Sequence, residues 1–179
     1  MAEIKDGLKL RGTITVLKFE RDIEDYRDPE TGEIDYERFY AENEPYEVVT
    51  FNNLFLTNGI NVLWNLFIGA SGYTPFNSSN AYMGVGDGTT SPSADQTSLT
   101  GTNKYFKLVD SGFPQVLGNL VTFQATFGGT EANFTWNEYG VANGNNPPTS
   151  GTLFNRAVQF LGTKQSGQTW ALRVTLSIS

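Results

Sequence analysis

Five carboxylates lie beyond the first fifty residues of this chain: Asp87, Asp95, Asp110, Glu131 and Glu138. They are where a search for chemistry starts, because the 179 residues contain no histidine and no cysteine. That composition excludes thiol nucleophiles, zinc sites of the Cys/His type, imidazole bases and the Ser-His-Asp arrangement. Glycoside hydrolysis needs only two carboxylates, but at a fixed separation. Glu131 and Glu138 are seven residues apart in a stretch that reads as strand, and an odd offset sends them to opposite faces. Asp110 closes a different strand. Calcium binds oxygen donors, which Asp87, Asp95 and nearby loop carbonyls could supply. Two acids without a third at ligand spacing argue against it, and no metal or other cofactor is expected.

The most motif-like stretch is Gly84-Val85-Gly86-Asp87-Gly88-Thr89-Thr90-Ser91-Pro92. A phosphate-cradling loop places Lys after its last glycine and runs into a helix. Neither feature is present, so Gly84, Gly86, Asp87 and Gly88 read as a structural turn leaving a strand. Glu138 interrupts an aromatic run, Phe134-Thr135-Trp136-Asn137-Glu138-Tyr139-Gly140. Alternation puts it on the face of Phe134 and Trp136, and a carboxylate buried there needs a partner. Arg156 on the next strand is that partner, giving an expected structural ion pair. An exposed or functional Glu138 is the alternative.

These residues must be held by a mainly β framework. Candidate strands are 12–20, 81–85, 104–110, 120–127, 132–141, 152–161 and 169–178, separated by Gly/Asn/Pro turns. In the last, Trp170, Leu172, Val174, Leu176 and Ile178 alternate with Ala171, Arg173, Thr175 and Ser177. Many short period-2 segments predict an antiparallel β-sandwich or jelly-roll-like domain. One short helix is expected at about 57–68, capped by Thr57 or Asn58 and ended near Gly69. Its apolar positions Ile60, Leu63, Trp64 and Phe67 fall on one face, suited to plugging an end of the sheet.

Charge divides the chain into two parts. Residues 1–50 hold fourteen acids and seven bases and residues 51–179 five of each, so the whole excess of −7 lies in the first part. The division expected is an N-terminal strand plus an extended acidic arm (1–50) and a neutral sandwich body (51–179). The arm's rings Tyr26, Tyr36, Phe39, Tyr40 and Tyr46 have few apolar neighbours in sequence. They are expected to pack on another surface, as contacts between subunits, with the body folded without them. An acidic chain lacking a Lys/Arg cluster is a poor partner for nucleic acid or an anionic membrane. No apolar run reaches spanning length, and residues 1–6 lack a signal-peptide core.

The order of short segments from about residue 10 onward resembles a class of tailed-bacteriophage virion proteins. The resemblance is carried by Asp28-Pro29-Glu30-Thr31-Gly32-Glu33, by Asn53 to Ile60 leading into the helix, and by Tyr82 to Pro92 with Asp95, Thr97 and Leu99. Glu138-Tyr139-Gly140-Val141, Leu153-Phe154-Asn155-Arg156 and the closing strand Trp170–Ile178 complete it. The chain departs from the class after Leu99, where Thr100-Gly101-Thr102-Asn103-Lys104 replaces the usual Leu-x-x-Glu-x-x-Arg pattern. The resemblance implies a non-enzymatic head decoration or cement protein, located on the capsid surface after synthesis in the host cytoplasm. Its implied partners are the major capsid protein and further copies of itself, a trimer by the symmetry habits of such proteins. The alternative it implies is a tail- or fibre-associated protein that meets other tail proteins or host glycan, with Tyr73, Phe76 and the 143–148 loop as the contact.

Overall fold

The computed structural model describes residues 9–178. In chain order the elements are β1 (Leu10–Phe19), a 3-10 turn (Ile23–Tyr26), α1 (Tyr36–Glu42), β2 (Glu47–Asn52), β3 (Leu54–Phe55) and α2 (Thr57–Phe67). Then follow β4 (Tyr82–Gly86), β5 (Lys104–Leu108), β6 (Gln115–Leu117), β7 (Leu120–Phe127), β8 (Glu138–Ala142), β9 (Asn155–Val158) and β10 (Thr169–Ile178). Two five-stranded antiparallel sheets form a β-sandwich, with strand orders β2-β1-β10-β7-β6 and β3-β9-β8-β4-β5.

Alternation explains the core. Ile14 and Val16 of β1, Leu172, Val174 and Leu176 of β10, and Phe123, Ala125 and Phe127 of β7 turn inward from the first sheet. Met83, Val85, Tyr139, Val141 and Ala157 meet them from the second. Trp136 lies at the centre, edge-on to Phe127 and Trp170 with ring centroids 5.0 Å from each. Such pairs add about 0.5–1.5 kcal/mol beyond the area they bury.

Each sheet also has a covered outer face. On the first, Phe19 and Ala171 point away from the core and are buried by Ile23 and Phe39, with Leu17, Tyr26, Ile34, Tyr36 and Tyr40 around them. On the second, Ala142 is buried with Leu56, Leu99 and Leu153, and Phe106 packs against them.

The expectation of an extended arm is corrected here. β1 is an interior strand, paired with β10 from Leu10↔Ile178 to Phe19↔Thr169 and with β2 on its other side. The stretch that follows folds back over its own sheet. Asp22 and Asp35 cap the 3-10 turn and α1 by accepting from Glu24 N–H and Arg38 N–H. Phe39 is fully buried and meets Phe19, Tyr26 and Tyr40 edge-on. Residues 1–8 of the expected arm lie outside the described residues.

The helix also differs from expectation. Leu56, not Thr57 or Asn58, is the N-cap, and it makes no side-chain cap bond. Neighbouring chain satisfies the first amides instead: Leu56 N–H donates to Phe154 O and Thr57 N–H to Ala94 O. Ile60 and Leu63 pack on the core, but Trp64 and Phe67 are 59% and 79% exposed. Only the first two turns of α2 lie over the sandwich end. Gly59 permits that approach, since a Cβ there would sit 2.5 Å from Phe154 Cα.

Candidate functional site

The residues singled out by type and spacing converge on the outer face of the second sheet. Glu138 and Arg156 are both fully buried and form an ion pair of 2.7 Å, with Arg156 Nε donating to the same oxygen at 2.9 Å. Glu138 also accepts from Gly88 N–H at 3.3 Å, Thr100 N–H at 2.9 Å and Gly101 N–H at 2.6 Å. Arg156 reaches Gln96 Oε1 at 2.8 Å and Thr100 Oγ1 at 3.0 Å. One carboxylate therefore ties β8 and β9 to the loop after β4 and the segment after Leu99.

Glu138 does not share a face with Trp136. The ladder begins only at Glu138, paired with Gly86 and Val158, and Tyr139 rather than Glu138 turns to the core beside Trp136. The chain between residues 132 and 137 is irregular, so strict alternation across it fails. What buries Glu138 is the overlying loop.

The glycines of that loop serve close approach. A Cβ on Gly86 would lie 2.6 Å from Glu138 Oε1, and one on Gly88 would lie 2.5 Å from the same atom. A Cβ on Gly84 would overlap the Phe106 ring. Asp87 accepts from Asn103 N–H at 3.1 Å and from Asn103 Nδ2 at 2.6 Å, which closes the turn. Asp95 is exposed, and among the described residues no group of three or more acids gathers as a metal site. Sequence reasoning missed Thr100 and Gly101. They occupy the place where the chain departs from the virion-protein pattern, and their backbone amides bind Glu138.

The remaining carboxylates are held separately. Glu131 lies in a turn, not on a strand, and pairs with Lys107. Asp110 is buried and accepts from Thr126 N–H at 3.0 Å, Thr126 Oγ1 at 2.6 Å and Gln124 Nε2 at 3.3 Å. Burial holds its carboxyl above the usual aspartate range despite those donors. A shallow depression beside it is lined by Tyr36, Tyr40, Phe113, Gln124 and Arg173. Its polar groups are spent on one another: Arg173 donates to Gln124 Oε1, and Tyr40 Oη donates to Thr126 Oγ1 at 2.7 Å.

Of the five rings expected to contact a neighbouring subunit, four pack within the chain's own cluster over the first sheet. Phe39 belongs wholly to the chain's own interior, and Tyr26, Tyr36 and Tyr40 are half-buried around it. Tyr46 is exposed at 49%, just before β2. The four pack on one another, on Phe19 and Ile23 of the same segment, and on Ala171 of β10, while Tyr40 reaches Thr126 of β7. Tyr40→Phe removes the hydroxyl bond that pins α1 to β7 and is expected to cost about 1 kcal/mol in urea unfolding.

Lys164 is buried without a salt bridge, donating to Gly128 O at 2.7 Å and Asn133 Oδ1 at 2.8 Å. Desolvation lowers its pKa to about 8. Between that value and the unfolded value near 10.5, the unfolded chain holds the extra proton, so stability rises with pH. Burial shifts Tyr36 up to about 12 and Tyr40 and Tyr139 upward as well, which reverses the slope once unfolded tyrosines ionise near pH 10. Unfolding free energies measured from pH 7 to 10 are expected to rise for the wild type. Lys164→Met should abolish that rise.

Compared with protein-family models, with curated proteins and with solved structures, the chain matches none of them.

Proposed function

We propose that this chain is a non-enzymatic structural protein of a tailed-bacteriophage virion, acting as a decoration or cement protein on the outside of the head. The observation that supports the reading is the convergence of its short motifs. The glycine loop 84–88, Leu99, Glu138 and the Leu153–Arg156 segment are far apart in sequence, yet they meet in one buried clamp. Their order along the chain therefore has a physical basis as a set that positions a loop.

Contact with the shell needs a different device from a free arm. The segment over the first sheet is folded, and it leaves Glu24, Asp25, Glu30, Glu33, Glu37 and Glu42 exposed around α1. A rigid acidic face suits basic patches on a capsid lattice, and many weak copies gain from multivalency. The partners are the major capsid protein and other copies of this chain, without cofactor, nucleic acid or membrane. Counting copies in purified particles by quantitative mass spectrometry tests this. Hundreds per particle are expected, a handful moves the protein to the tail, and none removes the virion reading.

One observation favours the second reading, a tail protein touching host glycan. A polar depression of about 360 Å³ is lined by Asn58, Asn61, Tyr73, Thr74, Asn143 and Thr152. Asn143 is already committed to Thr74 O and Thr152 N–H, which leaves Asn58, Asn61 and Tyr73 to meet a sugar. A glycan array without binding at high protein concentration sets this reading aside.

A further inference from the structure

Among the described residues, the end of the sandwich beneath α2 is left open by an apolar groove of about 350 Å³ between the two sheets. Leu10, Ile178, Leu176, Val121 and Val116 form one wall, on the inward face of adjacent strands by the pairings Leu10↔Ile178, Leu176↔Val121 and Val116↔Val121. Leu63, Phe76 and Phe154 form the other. Its rims continue outward as bare apolar side chains. On the edge strand β6, Val116 is 76% exposed and Leu117, on the opposite face of the strand by alternation, 78%, and Trp64, Phe67 and Ile68 at the end of α2 are 59%, 79% and 74% exposed.

We infer that this groove and its two rims are the surface through which the chain binds a second copy of itself. Three observations select that occupant. The first is clustering. Five large apolar side chains, each more than half exposed, stand on β6 and at the end of α2, the two elements that flank the groove, where a monomer surface ordinarily scatters such residues singly.

The second is charge. None of the groove-lining or rim residues is charged, in a chain whose net charge is −7. A basic partner would be drawn to the acid-rich segment over the first sheet. Two acidic copies, by contrast, approach each other at least cost through a face that carries none of that charge.

The third is the edge itself. β6 is the outer strand of its sheet and reads Gln-Val-Leu, with no charge to block pairing. A projecting apolar hairpin beside an apolar groove makes one surface that offers both knob and hole, which is what association of identical copies requires. The inference deepens the proposed function by naming where the homo-oligomer forms, and only the biological use of that oligomer rests on the virion reading.

Native mass spectrometry and sedimentation from low to high micromolar concentration test it. The wild type is expected to be an oligomer. Val116→Glu and Phe67→Glu are expected to raise its dissociation constant ~100-fold or more, since each buries a carboxylate against apolar wall. Both positions are exposed, so an unchanged circular dichroism spectrum and a still cooperative melt check that the variants remain folded. Because the chain has no cysteine, Leu117→Cys should crosslink between copies with a bismaleimide, while Glu30→Cys should not. A wild-type monomer throughout, or an oligomer indifferent to both glutamates and to the crosslinking position, overturns the inference. Binding to capsid shells is scored separately: an oligomer that ignores shells keeps this surface and sinks the virion reading, and a shell-binding monomer does the reverse.

Discussion

A chain lacking residues 1–50 is expected not to fold. The deletion removes β1 and all of β2 except Phe51 and Asn52, and it leaves one side of the ten-residue strand β10 unpaired. It also removes Ile14, Val16, Phe19, Ile23 and Phe39, all essentially fully buried. At about 1.5–3 kcal/mol per buried side chain, these five alone contribute ~8–15 kcal/mol, comparable to the entire stability of a typical domain. The truncated chain should show no cooperative thermal transition by circular dichroism and should aggregate. A cooperative melt within a few degrees of the full chain would restore the picture of an arm hung on an independent body.

The second large effect is expected at the clamp. Arg156→Met leaves Glu138 buried with backbone amides as its remaining partners and should cost about 3–5 kcal/mol. For a chain of this size that lowers the melting temperature by roughly 10 °C. Glu138→Met should cost more, because it strands the Arg156 guanidinium and also the N–H groups of Gly88, Thr100 and Gly101. The double variant should therefore be no more stable than Arg156→Met alone. A double variant as stable as the wild type would mean that the ion pair is dispensable and that the amides find water instead. Chemical denaturation of the four proteins gives the answer as one thermodynamic cycle.

What could be read from the sequence follows the range of the interactions concerned. The strands 120–127 and 169–178 are as the alternation predicts, because each has one buried face and a regular partner. β2, β3 and β6 went unseen: they are short edge strands with exposed residues, and their pairing is decided by neighbours rather than by their own pattern. The rings of α1 pack on Phe19, Ile23 and Tyr26 of their own segment, but only the fold-back of that segment onto Ala171 and Thr126 brings them together, and no periodic pattern announces it. Trp64 and Phe67 lie on the correct helical face, but the sandwich ends before the helix does. At the clamp, an unaccompanied carboxylate and an unaccompanied guanidinium on neighbouring strands were legible as a pair. The amides of Thr100 and Gly101 were not, since backbone donors leave no mark in side-chain chemistry.

The pairing of β1 with β10 also sets a clock. β1 emerges from a ribosome about 150 residues before its principal partner, a delay of roughly 10–30 s at ordinary synthesis rates. Throughout that interval β1 has only β2 to pair with, Ile14, Val16 and Phe19 lack β10 beside them, and the sandwich cannot close. Closure is therefore a late event that awaits β10, and chains terminated before it lack the strand that joins β1 to β7. Long-range closure of this kind is slow in vitro as well. Closure of the sandwich is thus tied to the emergence of β10.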